Sequence, residues 1–211
     1  MELIKYLNDN FFTEQELLNV SKVTEQELCS YQEQGVMPKC SYKLNVGITC
    51  DSFFGLHKEE QKIEYYAKGY SSWLAIIQSL KSTNSIYSVF VNRYKKTIAC
   101  LKQQGHRSDN SKINSAIDLH IKEEWGHFLS GTYGLCTKSG LPEDIAAKEF
   151  AIIEINELSA QKLLNQNQLG KLTTAVNLLD SASSYFAPHE RLTSSRYRLV
   201  NETRLKYKLQ N

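Results

Sequence analysis

Two helix-capping patterns eleven residues apart constrain the fold of this 211-residue chain more than any other feature. Thr13 and Thr24 each precede a glutamate by three residues, which is the pattern of an N-cap that exchanges hydrogen bonds with its own first turn. Gly35 followed by Pro38 is typical of a helix end. The segment 13–38 is therefore predicted to form two short helices joined by a tight turn, which is a helix-turn-helix unit.

The segment 12–38 resembles the N-terminal helix-turn-helix of the MerR family of transcriptional regulators. The resemblance implies that a short β-hairpin wing and a further helix follow the unit. Lys22 stands in the turn where that family usually carries glycine. The positions that carry the resemblance are Phe12-Thr13, Glu16-Leu17, Ser21, Val23-Thr24, Leu28, Tyr31 and Gly35-Val36-Met37-Pro38.

The chain as a whole is similar to an uncharacterised family of bacterial proteins of about the same length. The similarity lies in two short segments, Tyr-Gly-Leu-Cys-Thr at 133–137 and Ala-Pro-His-Glu-Arg at 187–191. This second resemblance implies no particular activity, substrate or cofactor.

Alternating polar and apolar residues at 41–47 predict one or two short strands, and helical periodicity dominates from about residue 71 onward. We therefore predict a mainly α, essentially all-α fold. A small winged helix-turn-helix-like module with a short β wing would span 1–66, and a multi-helix domain would span 67–211. The predicted helices cover about residues 73–80, 84–104, 111–128, 142–158, 169–186 and 188–208, with a loop at 130–141.

Composition favours a cytoplasmic protein without membrane contact. The chain has an odd number of cysteines, five, and they are scattered with no Cys-x-x-Cys pair. Reduced thiols are therefore expected rather than a disulfide framework or a thiolate zinc site. We find no apolar stretch long enough for a signal peptide or a membrane span.

Charge is divided unevenly along the chain. Residues 1–37 hold two lysines against seven acidic residues, whereas the segments 81–112 and 189–208 carry net charges of +6 and +4. Because DNA is a polyanion, an acidic recognition helix weakens any DNA binding. The basic segments could grip nucleic acid, dock on the acidic module or form solvated helix faces. The candidate nucleic-acid-binding residues are Lys95, Lys96, Arg196, Arg198 and Arg204.

A second group of residues could carry chemistry. His120, Glu124 and His127 fall on one side of a predicted helix, and Glu124 and His127 have the Glu-x-x-His spacing of di-iron carboxylate bundles. We find no second Glu-x-x-His, so we expect no bound metal or cofactor and favour a polar helix face. Cys136, in a glycine-rich segment, could act as a nucleophile with a histidine base. The candidate ligand or metal site comprises His120, Glu124, His127 and Cys136.

These patterns favour a non-enzymatic regulatory or adaptor protein with a degenerate MerR-like helix-turn-helix. Its partner would be another protein or a second copy of the chain, and its DNA binding would be weak at most. The alternative is a small-molecule- or metal-dependent helical enzyme that uses the candidate ligand or metal site.

Overall fold

A computed structural model describes residues 2–80 and 82–209. Met1 and the last two residues lie outside this part of the chain, as does Lys81 of the first basic segment. The elements in chain order are α1 (Glu2–Asn10), β1 (Phe11–Thr13), α2 (Glu14–Ser21), α3 (Glu25–Glu33), β2 (Tyr42–Ser52), β3 (Gly55–Ala67), α4 (Tyr70–Ser79), α5 (Thr83–Gln103), α6 (Ile117–Leu129), α7 (Thr132–Cys136), α8 (Pro142–Ser159), α9 (Gln166–Ala182) and α10 (Glu202–Tyr207). Short 3₁₀ turns lie at Ser111–Ile113 and Arg191–Thr193, and a π-helical turn lies at Tyr197–Asn201.

The predicted fold class is wrong in its account of the β structure. Helices make up 62% of the structure, but strands make up 14% and form a three-stranded antiparallel sheet in the order β1-β3-β2. The fold is therefore not all-α. A strand as short as β1 has no readable period, and the outer halves of β2 and β3 are exposed on both faces and show no alternation.

Both predicted capping boxes are confirmed. Thr13 Oγ1 accepts the backbone N–H of Glu16 at 3.3 Å, while the Glu16 carboxylate accepts the N–H of Thr13 at 2.8 Å. Thr24 and Glu27 repeat the exchange at 3.2 and 2.8 Å. Between the two helices Lys22 adopts a left-handed conformation with φ 54°, which explains why glycine suits this turn.

The hairpin of β2 and β3 projects away from the rest of the protein. Its register runs from Tyr42 opposite Tyr65 to Ser52 opposite Gly55, and β1 pairs only with the last three residues of β3. Residues 47–62 are exposed to solvent. Phe53 and Phe54 at the tip are 98% and 96% exposed.

The main core contains side chains from both sides of the predicted boundary at residue 66. Leu17 and Leu28 belong to the same buried cluster as Phe90, Ile121 and Phe150. The indole of Trp73 on α4, which is fully buried, donates to the carbonyl of Val36 at 2.8 Å. The division into two folding units at residues 66 and 67 stays a prediction.

Two predicted helices are interrupted, and the predicted loop at 130–141 contains the short helix α7. The Asn114 side chain donates to the carbonyls of Ser108 and Asn110, which ends the 3₁₀ turn before α6. Ser194 Oγ accepts the N–H of Tyr197 at 3.0 Å and so separates the last 3₁₀ turn from the π-helical turn. Local side-chain hydrogen bonds of this kind compete with continuous helix formation. None of the described helices has the length and apolar character needed to cross a membrane.

Candidate functional site

Three potential ligand residues meet between α6 and α8. His120 and Glu124 lie one turn apart on α6, so they share a helix face, and both are buried. Glu149 on α8 reaches the same place and is partly exposed. One nitrogen of His120 and one oxygen from each glutamate lie within 4.8 Å of one another. We call these three residues the His-Glu-Glu cluster.

Hydrogen bonding at the His-Glu-Glu cluster is incomplete. The Tyr133 hydroxyl from α7 donates to Glu124 and lies 3.4 Å from Glu149 Oε1. His120 Nδ1 lies 3.4 Å from Glu124 Oε1, but its geometry is not that of a hydrogen bond. Neither His120 nitrogen has a hydrogen-bond partner within residues 2–80 and 82–209. The buried hydroxyl of Tyr94 also has no partner among these residues. A buried polar atom left unpaired costs about 1–3 kcal/mol.

Burial also shifts the protonation of the cluster. It raises the pKa of the Glu124 carboxyl to about 8, and the charge of Glu149 adds to the rise. Burial raises the pKa of Glu149 as well, against the lowering effect of Lys148. The pKa of His120 is lowered, again mainly by burial. At neutral pH the cluster therefore contains a neutral imidazole and at least one protonated carboxyl.

The structure brings together two of the four predicted ligand residues. His127 is exposed, with its ring 6.4 Å from that of Tyr133, and it does not belong to the cluster. Cys136, at the end of α7, is partly buried, and burial raises the pKa of its thiol. A thiol with a raised pKa is a poor nucleophile at neutral pH.

Sequence reasoning missed Glu149 and the role of Tyr133. A signal was present, because Lys148-Glu149 interrupts the apolar positions of α8, where Ile145 and Phe150 are fully buried. A charged residue at such a position needs a partner when it is buried. Here the Lys148 ammonium donates to the carbonyl of Cys136 at 3.0 Å.

The five predicted nucleic-acid-binding residues have different environments. Arg196 and Arg204 both form ion pairs with Asp180 of α9, and their side chains are only 20% and 21% exposed. Lys95 pairs with Asp118 at 2.5 Å. Lys96 and Arg198 are exposed and form no ion pair within the described residues. Three of the five cations are thus partly neutralised within the chain.

The surface of the N-terminal elements is acidic or neutral. The exposed side of α3 carries Glu25, Glu27 and Glu33, and the helix contains no lysine or arginine. The hairpin formed by β2 and β3 carries three lysines against four acidic residues. Neither element presents the positive surface that a DNA phosphate backbone attracts.

The fold and the His-Glu-Glu cluster define a mostly helical protein with a three-stranded sheet and a buried polar site. The chain belongs to the family of unknown function DUF6058, whose model matches residues 86–208 and so covers more than half of the chain. This match fits the predicted resemblance to an uncharacterised family and includes all three cluster residues. It does not reach the predicted helix-turn-helix and gives no evidence of a MerR-type unit. No curated protein and no solved structure matches the chain.

Proposed function

We propose that the protein is a non-enzymatic regulatory or adaptor protein with a degenerate MerR-like helix-turn-helix. The order α1-β1-α2-α3-β2-β3, with β1 paired to β3, supports a helix-turn-helix followed by a wing. The helix α4 follows the hairpin, as the MerR resemblance implies. The left-handed turn at Lys22 supports the same arrangement.

The charge of α3 is the observation that carries the proposal. In a helix-turn-helix the second helix enters the major groove, where its exposed side chains meet base edges and phosphates. Glu25, Glu27 and Glu33 would bring negative charge there. A glutamate can accept a hydrogen bond from cytosine, but neighbouring cations must offset the repulsion by phosphate. We therefore propose that the helix-turn-helix module binds another protein rather than DNA.

The hairpin tip supports contact with a protein partner or with a second copy of the chain. Phe53 and Phe54 are almost completely exposed, and their rings pack edge to face with centroids 5.4 Å apart. Exposed aromatic side chains are typical anchors of protein interfaces. The five cysteines are free thiols, which supports our further proposal of a cytoplasmic location.

We propose that any DNA binding by this protein is weak and nonspecific. It would depend on the five candidate nucleic-acid-binding residues Lys95, Lys96, Arg196, Arg198 and Arg204. If all five contact phosphates, affinity falls by about 500-fold between 50 and 200 mM salt. If only Lys96 and Arg198 contact phosphates, it falls by about tenfold over the same range. The salt dependence therefore measures how many cations are available.

A mobility-shift titration at both salt concentrations, on a promoter fragment and on scrambled DNA, tests this proposal. We expect equal, weak binding to both. The double variant Lys96→Gln/Arg198→Gln should weaken it, while Glu25→Gln/Glu27→Gln should leave it unchanged or strengthen it. Strong preference for one sequence that is lost in Gln26→Ala or Glu27→Gln would reveal a working recognition helix and contradict the proposal.

A second candidate function is a small-molecule- or metal-dependent enzyme at the His-Glu-Glu cluster. The raised pKa of Glu124, about 8, favours it, because proton transfer is most effective from groups that titrate near the working pH. This candidate requires that the cluster bind a ligand or an ion.

A further inference from the structure

We propose that His120, Glu124 and Glu149 bind one divalent first-row transition-metal ion of the Zn²⁺ or Mn²⁺ type. The inference does not depend on the regulatory function proposed above, because it concerns α6 and α8 rather than the N-terminal module. One imidazole nitrogen and two carboxylate oxygens form a ligand set that such ions accept.

The geometry of the cluster suits such an ion. Zinc binds histidine nitrogen and carboxylate oxygen at about 2.0–2.2 Å, so two ligands of a tetrahedral ion lie about 3.4 Å apart. The three ligand atoms are now within 4.8 Å of one another. Metal binding would require the glutamate side chains to rotate and close this difference. Three protein ligands leave a fourth position for water or a small molecule.

The unpaired state of His120 is an independent sign of a missing ligand. Its side chain is 2% exposed, and neither ring nitrogen has a hydrogen-bond partner in the described part of the chain. A coordinate bond would pair one of these two nitrogens. The unpaired Tyr94 hydroxyl lies on the adjacent helix α5, and its ring centroid is 6.3 Å from that of His120.

Charge balance also favours a divalent cation. A bound divalent ion would displace the proton that the metal-free cluster holds, because metal ligands are deprotonated. The two carboxylates and the neutral imidazole would then carry a charge of −2, which the ion neutralises. The Lys148 ammonium is already bound to the carbonyl of Cys136 and so compensates the pair only partly. Tyr133, which contacts both glutamates, would hold the carboxylates in place as a positioning residue.

The test uses the full-length protein after chelator treatment and removal of the chelator. Titration calorimetry with Zn²⁺, Mn²⁺ and Mg²⁺ should show one site per chain for Zn²⁺ or Mn²⁺ and none for Mg²⁺, which prefers all-oxygen ligands. Co²⁺ should give visible absorption bands that change in His120→Ala. Elemental analysis of protein purified without chelator provides a second readout.

Matched variants separate ligands from neighbours. We expect His120→Ala and Glu149→Gln each to reduce Zn²⁺ affinity by more than about 100-fold, and Tyr133→Phe by about tenfold, as for residues that orient a metal ligand. His127→Ala, a histidine on the same helix but outside the cluster, should change affinity by less than about twofold.

Two results would overturn the metal site. One is a chelated protein that remains folded by circular dichroism yet takes up none of the transition metals. The other is stoichiometric uptake that survives in both His120→Ala and Glu149→Gln. Either result is distinguishable from failure of the regulatory proposal, because the DNA titration depends on none of these residues.

Discussion

Two buried histidines face glutamates of the same helix, and their surroundings differ in one respect. His106 Nδ1 lies 2.5 Å from Glu154 Oε2, and the backbone N–H of Arg107 donates to the other oxygen of Glu154 at 2.7 Å. His120 lies near Glu149, five residues earlier on α8, but neither of its nitrogens has a hydrogen-bond partner among residues 2–80 and 82–209. Both histidines are more than 90% buried.

The difference shows that burial and residue type do not separate a structural histidine from a candidate ligand. Both sites combine an imidazole with a carboxylate of α8 in an apolar setting. At the His106 site both oxygens of Glu154 have partners, which are His106 Nδ1 and the backbone N–H of Arg107. These contacts also fix the turn after α5. At the His-Glu-Glu cluster Tyr133 contacts both glutamates, whereas the imidazole of His120 has no hydrogen-bond partner in the described part of the chain. Hydrogen-bond completeness therefore distinguishes the two sites.

The largest effect is expected at the His106 site. Glu154→Ala should lower the free energy of unfolding by about 3–5 kcal/mol, because it leaves the buried His106 ring and the N–H of Arg107 without their hydrogen-bond partner. Urea unfolding followed by circular dichroism measures the loss. The control is Glu157→Ala on the exposed side of α8, which removes only an exposed hydrogen bond from Ser108 and should lower the free energy of unfolding by less than about 1 kcal/mol. Equal losses in the two variants would remove the distinction between the sites.

A smaller effect, dependent on pH, is expected at the cluster. The folded pKa of Glu124, about 8, is above its ordinary value of 4.5, so between these limits the folded state of the metal-free protein holds a proton that the unfolded state has lost. Stability should therefore fall as pH rises from 5.5 to 7.5, by up to about 1.4 kcal/mol per pH unit for this group. Glu124→Gln keeps an acceptor for Tyr133 and removes the titration.

Urea unfolding of chelated protein at both pH values measures this slope. We expect Glu124→Gln to lose less stability than the wild type between pH 5.5 and 7.5. Glu149→Gln should flatten the slope too, because burial also raises the pKa of Glu149. An identical slope in the wild type and both variants would show that neither carboxyl retains a proton at neutral pH.

The parts of the fold that local chemistry determines could be predicted from the sequence. Two capping boxes, the proline at the start of α8 and the stripe of α5 each involve residues within one or two helical turns. A short β wing was predicted, but the length of the hairpin could not be, because the outer halves of β2 and β3 bury neither face. Helical periodicity predicts one helix at the end of the chain. The breaks in it depend on local hydrogen bonds, such as that of Ser194 with Tyr197, which the periodicity does not reveal.

The candidate site could be predicted only in part for a similar reason. His120 and Glu124 share one helix face, so their spacing identifies them. The Glu-x-x-His spacing indicates His127, which is exposed, and gives no indication of Glu149. Glu149 and Tyr133 reach the cluster through the packing of α7 and α8 beside α6, and sequence spacing carries no information about that packing.

The smallest effect, and the sharpest test of the comparison, comes from replacing each histidine by leucine in metal-free protein. His120→Leu removes two unpaired buried nitrogens, so we expect the free energy of unfolding to change by less than about 1 kcal/mol or to rise. His106→Leu leaves the Glu154 carboxylate without its imidazole partner and should lower the free energy of unfolding by about 2–4 kcal/mol. Urea unfolding of the chelator-treated variants at one pH measures both changes.

If His120→Leu lowers the free energy of unfolding as much as His106→Leu, the His120 ring is held by interactions equivalent to those of His106. The unpaired nitrogens of His120 would then no longer support a metal site. If only His106→Leu is costly, the His120 imidazole contributes little to the metal-free fold, which is the behaviour expected of a residue retained for binding.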